Sequence, residues 1–413
     1  MNPFNEKPMD LWNTFENWDN IYPKPYNKYE VDPYTKTRII LMNGAEFEAN
    51  WFSHQFARHC NNNDLRRELA LTRRIEKQQQ MKISNLKPKN ESTLEHTISY
   101  EQLAVDLTAV LAQREPDPYV KKALDFALLE DFDHLYRYAD LLEMKEGIRA
   151  EHLVGGFTEI MPGRPTISEH RYPFDNVKRF IDNSKANPIT KLNVSIITAA
   201  EQQTMNYYMN VSNTSKEDIG RKLYQEIGLI EEQHVSHYES LLDPNCTWLE
   251  NLLNHEYTEC YLYYSCYITE KDPYIKALWE ENLYMEISQL HKAAELLKKY
   301  ENKEWQQVIP NGEFPELLEL RPNVDYVRNI LKETVNETSD KEQYINVSKI
   351  SSTSDFCKFQ NIVNSSDNIV PSHNVINDYI CKNKEDYRFE IDKNPIPEFQ
   401  DRTCDNTSVG RKS

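Results

Sequence analysis

Glu231 and His234 stand three residues apart in the middle of an otherwise apolar stripe. Tyr224, Ile227, Glu231, His234, Tyr238 and Leu241 recur at alternating spacings of three and four, the period of one helix face turned toward a core. A carboxylate and an imidazole one turn apart on such a face can grip a metal ion. They can also form a buried hydrogen-bonded pair with no ion present. The surrounding acids bear on the choice. Glu201 lies 30 residues before Glu231, Glu256 lies 25 after it, and Glu286 a further 30 on. Subtracting 155 from each number gives Glu46, Glu76, Glu101 and Asp131, four acids with the same intervals. Three residues after the second and fourth acid of each set stand Gln79, His134, His234 and Gln289.

Carboxylates gathered in a core need neutralising. Burying one bare carboxylate costs several kcal/mol, and several together repel, so protons or cations must compensate them. Oxygen ligands with an imidazole suit iron, with manganese as the alternative. Lysines or arginines in the core would serve a purely structural layer, but Arg73 and Arg74 lie off the stripe of Glu76.

The elements that would position these acids follow from the same offset. Residues 32–142 match 187–297 without a gap. Asp32-Pro33-Tyr34-Thr35-Lys36 answers Asn187-Pro188-Ile189-Thr190-Lys191, and Ala139-Asp140-Leu141-Leu142 answers Ala294-Glu295-Leu296-Leu297. The chain is therefore read as a duplication. Turn signals fall midway between successive acids: Asn61-Asn62-Asn63, Lys87-Pro88-Lys89 and Pro116-Asp117-Pro118 in the first repeat; Ser215-Lys216, Asp243-Pro244-Asn245 and Lys271-Asp272-Pro273 in the second. Helices hinged at those points carry all four acids of a repeat at one height, roughly 18–22 Å from each turn at about 1.5 Å per residue. Leu69, Ile83, Leu124 and Leu141 flank the acids and face them inward. The expectation is an all-α protein of two tandem up-down-up-down four-helix bundles. An irregular aromatic arm fills 1–31. The first bundle with a Pro-containing strap spans 32–182, the second with its strap spans 187–332, and 333–413 forms a polar, poorly ordered tail with a short structured piece near Val375–Tyr387. Arg164 and Arg321, with Glu159 and Glu316, are expected to pin the straps.

Composition narrows the class. The net charge is −18 over 413 residues, which disfavours nucleic acid and anionic membranes. No apolar run is long enough to span a bilayer. The seven cysteines are scattered without a Cys-x-x-Cys pair, so neither a zinc ribbon nor a rubredoxin-type iron site is encoded. A cytoplasmic protein with free thiols is expected.

One Glu on a helix, Glu-x-x-His on its partner, and the same again resembles the ferritin-like di-iron carboxylate superfamily, over 32–142 and 187–297. By that resemblance Glu201 and Glu256 are terminal ligands, Glu231 and Glu286 bridging ligands and His234 a nitrogen ligand. The same roles fall on Glu46, Glu101, Glu76, Asp131 and His134. Gln79 and Gln289 take the second histidine position of each repeat. The resemblance implies two irons per bundle and redox chemistry on oxygen, peroxide or iron itself, with a separate electron donor. Two rivals remain: a metal-free helical scaffold that keeps its core carboxylates, and an oxygenase acting on an organic substrate through a pocket reaching the acids. Tyr138 and Tyr238 are read as core residues with satisfied hydroxyls. His54, His237, His255 and His291 are read as lying off the acid layer.

Overall fold

The computed structural model describes residues 1–385, 388 and 393–400. The protein is all-α apart from one small two-stranded sheet. Eight long helices carry the repeat: α1 (Pro33–His59), α2 (Asn63–Ser84), α3 (Thr93–Arg114) and α4 (Pro118–Glu146), then α7 (Pro188–Thr214), α8 (Asp218–Glu239), α9 (Trp248–Thr269) and α10 (Pro273–Glu301). Between the two sets lie the short helices α5 (Ala150–Leu153) and α6 (Thr166–Glu169). The long helices of each set run 27, 22, 22 and 29 residues. Their boundaries fall at the expected turn signals.

The caps repeat as well. Asp117 and Asp272 each accept bonds from the first backbone N–H groups of a helix that opens on proline. Ser92 with Glu95, and Thr247 with Glu250, form capping boxes at α3 and α9. α4 ends on Gly147 and α10 on Asn302, both at positive φ (67° and 53°), the left-handed turn that closes a helix C-terminus.

The chain divides into two compact units, and the division differs from the expected one. The first comprises Met1–Glu91, Ile181–Ala200 and Asp243–Glu319; the second comprises Ser92–Phe180, Glu201–Leu242 and Leu320–Ser413. Within the first, α1 packs on α2 and α9, and α10 on α9 and α2. Within the second, α4 packs on α3 and α8. The first unit therefore joins α1 and α2 to α9 and α10, the second joins α3 and α4 to α8, and α7 is divided between them at Ala200 and Glu201. Internal repetition shows that two segments share a fold; it carries no information about which pair docks on which.

In the described residues the C-terminal segment carries more structure than the short piece expected near Val375–Tyr387. After α11 (Val324–Thr334) come β1 (Glu337–Asp340) and β2 (Gln343–Asn346), antiparallel with Glu337 opposite Asn346, then α12 (Asp355–Val363) and α13 (Pro371–Asn383). Val347, Ile350 and Phe356 form a small core. α13 packs on α4 and α8, burying Val375 and Ile376. Ser372 at its start bonds Glu226 through both its N–H and its hydroxyl, at 2.8 and 2.9 Å. A few well-placed apolar side chains anchor the segment, and its polar average hides them. Within 333–413, residues 386–387, 389–392 and 401–413 lie outside the described residues, Tyr387 and Cys404 among them. At the other end of the chain, Phe4 stacks on Trp305 at 3.8 Å, and the N–H of Met9 bonds Ser288 on α10. No helix among the described residues is long and apolar enough to cross a membrane, and six described cysteines are free.

Candidate metal centre

The second unit assembles α3, α4, the part of α7 from Glu201 onward, and α8 around two overlapping groups of donors. Asp131, Glu201, Glu231 and His234 offer atoms all within 4.8 Å of one another, and Glu101, His134 and Glu231 do the same. All six residues are buried. Glu231 belongs to both groups, and its two oxygens divide between them. Oε1 lies 3.1 Å from His134 Nδ1 and Oε2 lies 3.0 Å from His234 Nδ1. His234 Nδ1 is also 3.2 Å from Asp131 Oδ1 and 3.5 Å from Glu201 Oε2. The imidazole rings lie 5.9 Å apart, with Glu231 bonded to both.

A ring of charged residues sets this geometry. His234 Nε2 meets Glu130 Oε2 at 2.6 Å. Glu130 is held in turn by Arg171 at 3.2 Å and Arg164 at 3.5 Å. Arg164 also donates to the Phe126 carbonyl at 2.7 Å, which pins the strap to α4. Arg137 pairs with Glu169 at 2.9 Å and with Asp133, and Glu169 lies 3.8 Å from His134 Nε2. Carboxylates behind ligating histidines fix the ring and its tautomer. Tyr208 on α7 donates its hydroxyl to Glu101.

Protons show what the cluster lacks. Burial drives Glu101, Glu201 and Asp131 above the ordinary carboxylate range, and neighbouring acids add to it. Glu231 goes the other way: burial would raise it, but His234 and His134 outweigh burial and keep it ionised. Burial would likewise lower His134, but its bond to Glu231 and the nearby acids lift it to about 10; His234 is also raised by its acids. One oxygen each of Glu101 and Glu201 and Asp131 Oδ2 are buried without a hydrogen-bond donor. Four acids and two imidazoles, with vacant lone pairs turned on one another, match the donor set of a pair of divalent ions.

The first unit gathers the remaining acids. Glu76 on α2, Glu256 and Glu259 on α9 and Glu286 on α10 place donors within 4.8 Å of one another, all buried. Glu46 on α1 touches Glu76 and accepts a bond from Tyr263. Asn282 holds Tyr263 at 3.1 Å. The amide of Gln79 donates to Glu286 at 2.6 Å, and that of Gln289 to Glu286 and to Gln79 Oε1, both at 3.2 Å. Burial lifts Glu76 to about 7 and raises Glu46, Glu256, Glu259 and Glu286 well above the usual range. His255 sits beside this group but pairs with Glu48 at 2.9 Å.

The grouping expected from the repeat is thus corrected. Glu201 and Glu231 gather with Asp131, and Glu231 also with Glu101, while Glu256 and Glu286 gather with Glu76 and Glu259. Both histidines, His134 and His234, share one unit, and both glutamines, Gln79 and Gln289, share the other. Tyr138 and Tyr238 are buried, but their hydroxyls have no hydrogen-bond partner, against the expectation of satisfied ones. The repeat did not point to Glu130, Glu169, Tyr208, Glu259 or Tyr263. At the 155 offset Glu130 faces Met285, Glu259 faces Ala104, Tyr208 faces Ser53 and Tyr263 faces Thr108. Glu259 alone carried a signal, standing three residues after Glu256 on one helix face. Cavities of about 980, 440 and 730 Å³ are lined by residues of neither cluster.

No protein-family model matches the chain, and neither a curated protein nor a solved structure matches it.

Proposed function

We propose that this chain is a ferritin-like carboxylate protein whose second unit holds two metal ions, iron or alternatively manganese. The pair would serve redox chemistry on oxygen, peroxide or iron. The observation that carries the reading is the division of Glu231, one oxygen toward each imidazole, with Glu101, Asp131 and Glu201 closing the set. Glu231, Asp131, Glu101 and Glu201 would hold the pair through carboxylate oxygens, with Glu231 common to both groups, and His134 and His234 would each supply Nδ1. A bound pair of such ions supplies exchangeable electrons and open coordination positions.

The chain's own residues do the rest. Glu130 holds His234, Arg164 and Arg171 hold Glu130, and Tyr208 holds Glu101. Burial of every donor keeps bulk water from competing. Asp131 reaches one methylene less far into the cluster than a glutamate would. With no Cys-x-x-Cys module in the sequence, electrons come from a separate donor.

The test is metal analysis of protein made in iron-supplemented medium. About two irons bound in the second unit, falling sharply in Glu231→Ala, support the reading. Metal content unchanged by Glu231→Ala, with helicity intact, refutes it and leaves the metal-free scaffold.

A further inference from the structure

The first unit's cluster has a donor set unlike that of the second, and this difference points to a different ion. We infer that Glu76, Glu256, Glu259 and Glu286 form a separate site for one hard divalent cation, of the manganous or magnesium type. The site does not depend on the iron reading of the second unit.

Glu259 carries the inference furthest. It is 3 % exposed, and neither of its oxygens has a hydrogen-bond donor. Its partners in the cluster are three more acids, each with one oxygen equally without a donor: Glu76 Oε2, Glu256 Oε2 and Glu286 Oε2. Buried polar groups are ordinarily satisfied, and among the described residues no lysine or arginine pairs with these four carboxylates or with Glu46. The glutamines do not remove the deficit. Gln79 and Gln289 both give their amide nitrogens to the same oxygen of Glu286, Oε1. That leaves Gln289 Oε1 as a further vacant acceptor. The result is a buried, acceptor-only enclosure built from three helices.

Its chemistry selects the guest. The cluster contains no nitrogen or sulfur donor, whereas the second unit supplies two imidazoles. Carboxylate and amide oxygens suit Mg²⁺, Ca²⁺ and Mn²⁺, while imidazole draws the later, softer metals. Five carboxylate oxygens and one amide oxygen stand vacant together, and a divalent ion, with protons on the acids it leaves uncompensated, answers them at once. The two units would then sort metals, with the redox-active ions in the imidazole-bearing unit.

The experiment uses the full chain stripped with a chelator and titrated with Mn²⁺ alone, read by calorimetry and by the electron paramagnetic resonance of bound Mn²⁺. In a His134→Gln/His234→Gln variant, one Mn²⁺ is expected to bind with wild-type affinity at the first unit. Glu259→Gln, which keeps shape and removes one charge, should weaken that class about tenfold or more and leave the imidazole-dependent Co²⁺ absorption of the second unit unchanged. Mn²⁺ should also raise the unfolding temperature of the histidine variant, and the rise should shrink in Glu259→Gln. Circular dichroism verifies that helicity is intact. Loss of all Mn²⁺ binding in the histidine variant, or unchanged Mn²⁺ affinity in Glu259→Gln, overturns the inference: the acids are then held by protons alone. Absence of both iron and manganese from the second unit, with the Mn²⁺ class of the first unit intact, refutes the proposed function and leaves this site standing.

Discussion

Replacing Glu130 by glutamine separates holding the fold from holding the metal ligand. The side chain is buried between His234 Nε2 at 2.6 Å, Arg171 at 3.2 Å and Arg164 at 3.5 Å. Burial alone would raise its carboxyl, yet Arg171, His234 and Arg164 bring it from 4.5 down to about 2. At about 1.4 kcal/mol per tenfold change in proton affinity, the surroundings favour the ion by about 3 kcal/mol. Breaking a buried pair from one side costs about 3–5 kcal/mol, because the stranded charge stays buried. The two magnitudes agree, so Glu130→Gln is expected to destabilise the metal-stripped second unit by about 3 kcal/mol in urea denaturation followed by circular dichroism. Metal affinity, measured by competition with a chelator, should fall about 10–100-fold, the usual consequence of losing a carboxylate behind a ligating histidine. Glu232→Gln, at an exposed position one residue from Glu231, should change stability by less than about 0.5 kcal/mol. If Glu130→Gln lowers stability but leaves metal affinity untouched, Glu130 anchors the arginines and does not position His234. If neither changes, the whole network is refuted.

Three further outcomes are expected. His134 has an ordinary value of 6.5 and is lifted to about 10 in the fold, so its contribution to the metal-free protein is fully present below pH 6.5 and lost as pH rises through 10. The loss is at most about 5 kcal/mol; the stability difference between wild type and His134→Gln should shrink across that window, while metal affinity, which requires the proton to leave, rises. Ile376→Ala on α13 should cost about 2–4 kcal/mol in the second unit; an effect near zero by hydrogen exchange would mean the C-terminal segment is not packed. Ser92→Ala and Thr247→Ala should each cost about 1 kcal/mol, with protection lost first at the starts of α3 and α9.

The helices, their boundaries and the burial of the acids were legible because each rests on local rules. Asp-Pro openings, capping boxes and three-four stripes act within a few residues, and the duplication stated them twice. The pairing of helices was not legible. α1 and α2 present the same kind of apolar face as α7 and α8, and choosing between partners is a matter of side-chain fit over distances that periodicity does not measure. That one gap split the donor set wrongly, with His134 and His234 assigned to different sites. Glu130 and Arg171, and the pairing of Arg164 with Glu130, were invisible for a related reason: they act from outside the stripe, and nothing in their spacing marks them. The short structured piece near Val375 was legible and is α13, but the β1–β2 hairpin and α12 were missed because a handful of residues, Val347, Ile350 and Phe356 among them, outweigh a polar average.

The interleaved connectivity has a consequence for synthesis. As the polypeptide leaves the ribosome, α1 and α2 emerge first, but α9 and α10 follow only after roughly 160 further residues. The donor set with both imidazoles is complete once α8 has been made, whereas the oxygen-only set waits for α10. Closing the longer loop costs only about 0.6 kcal/mol per doubling of its length, so the delay weighs on rate and on exposure of the waiting α1–α2 surface far more than on final stability. The nascent chain therefore gains its two clusters in a fixed order, the imidazole-bearing one first.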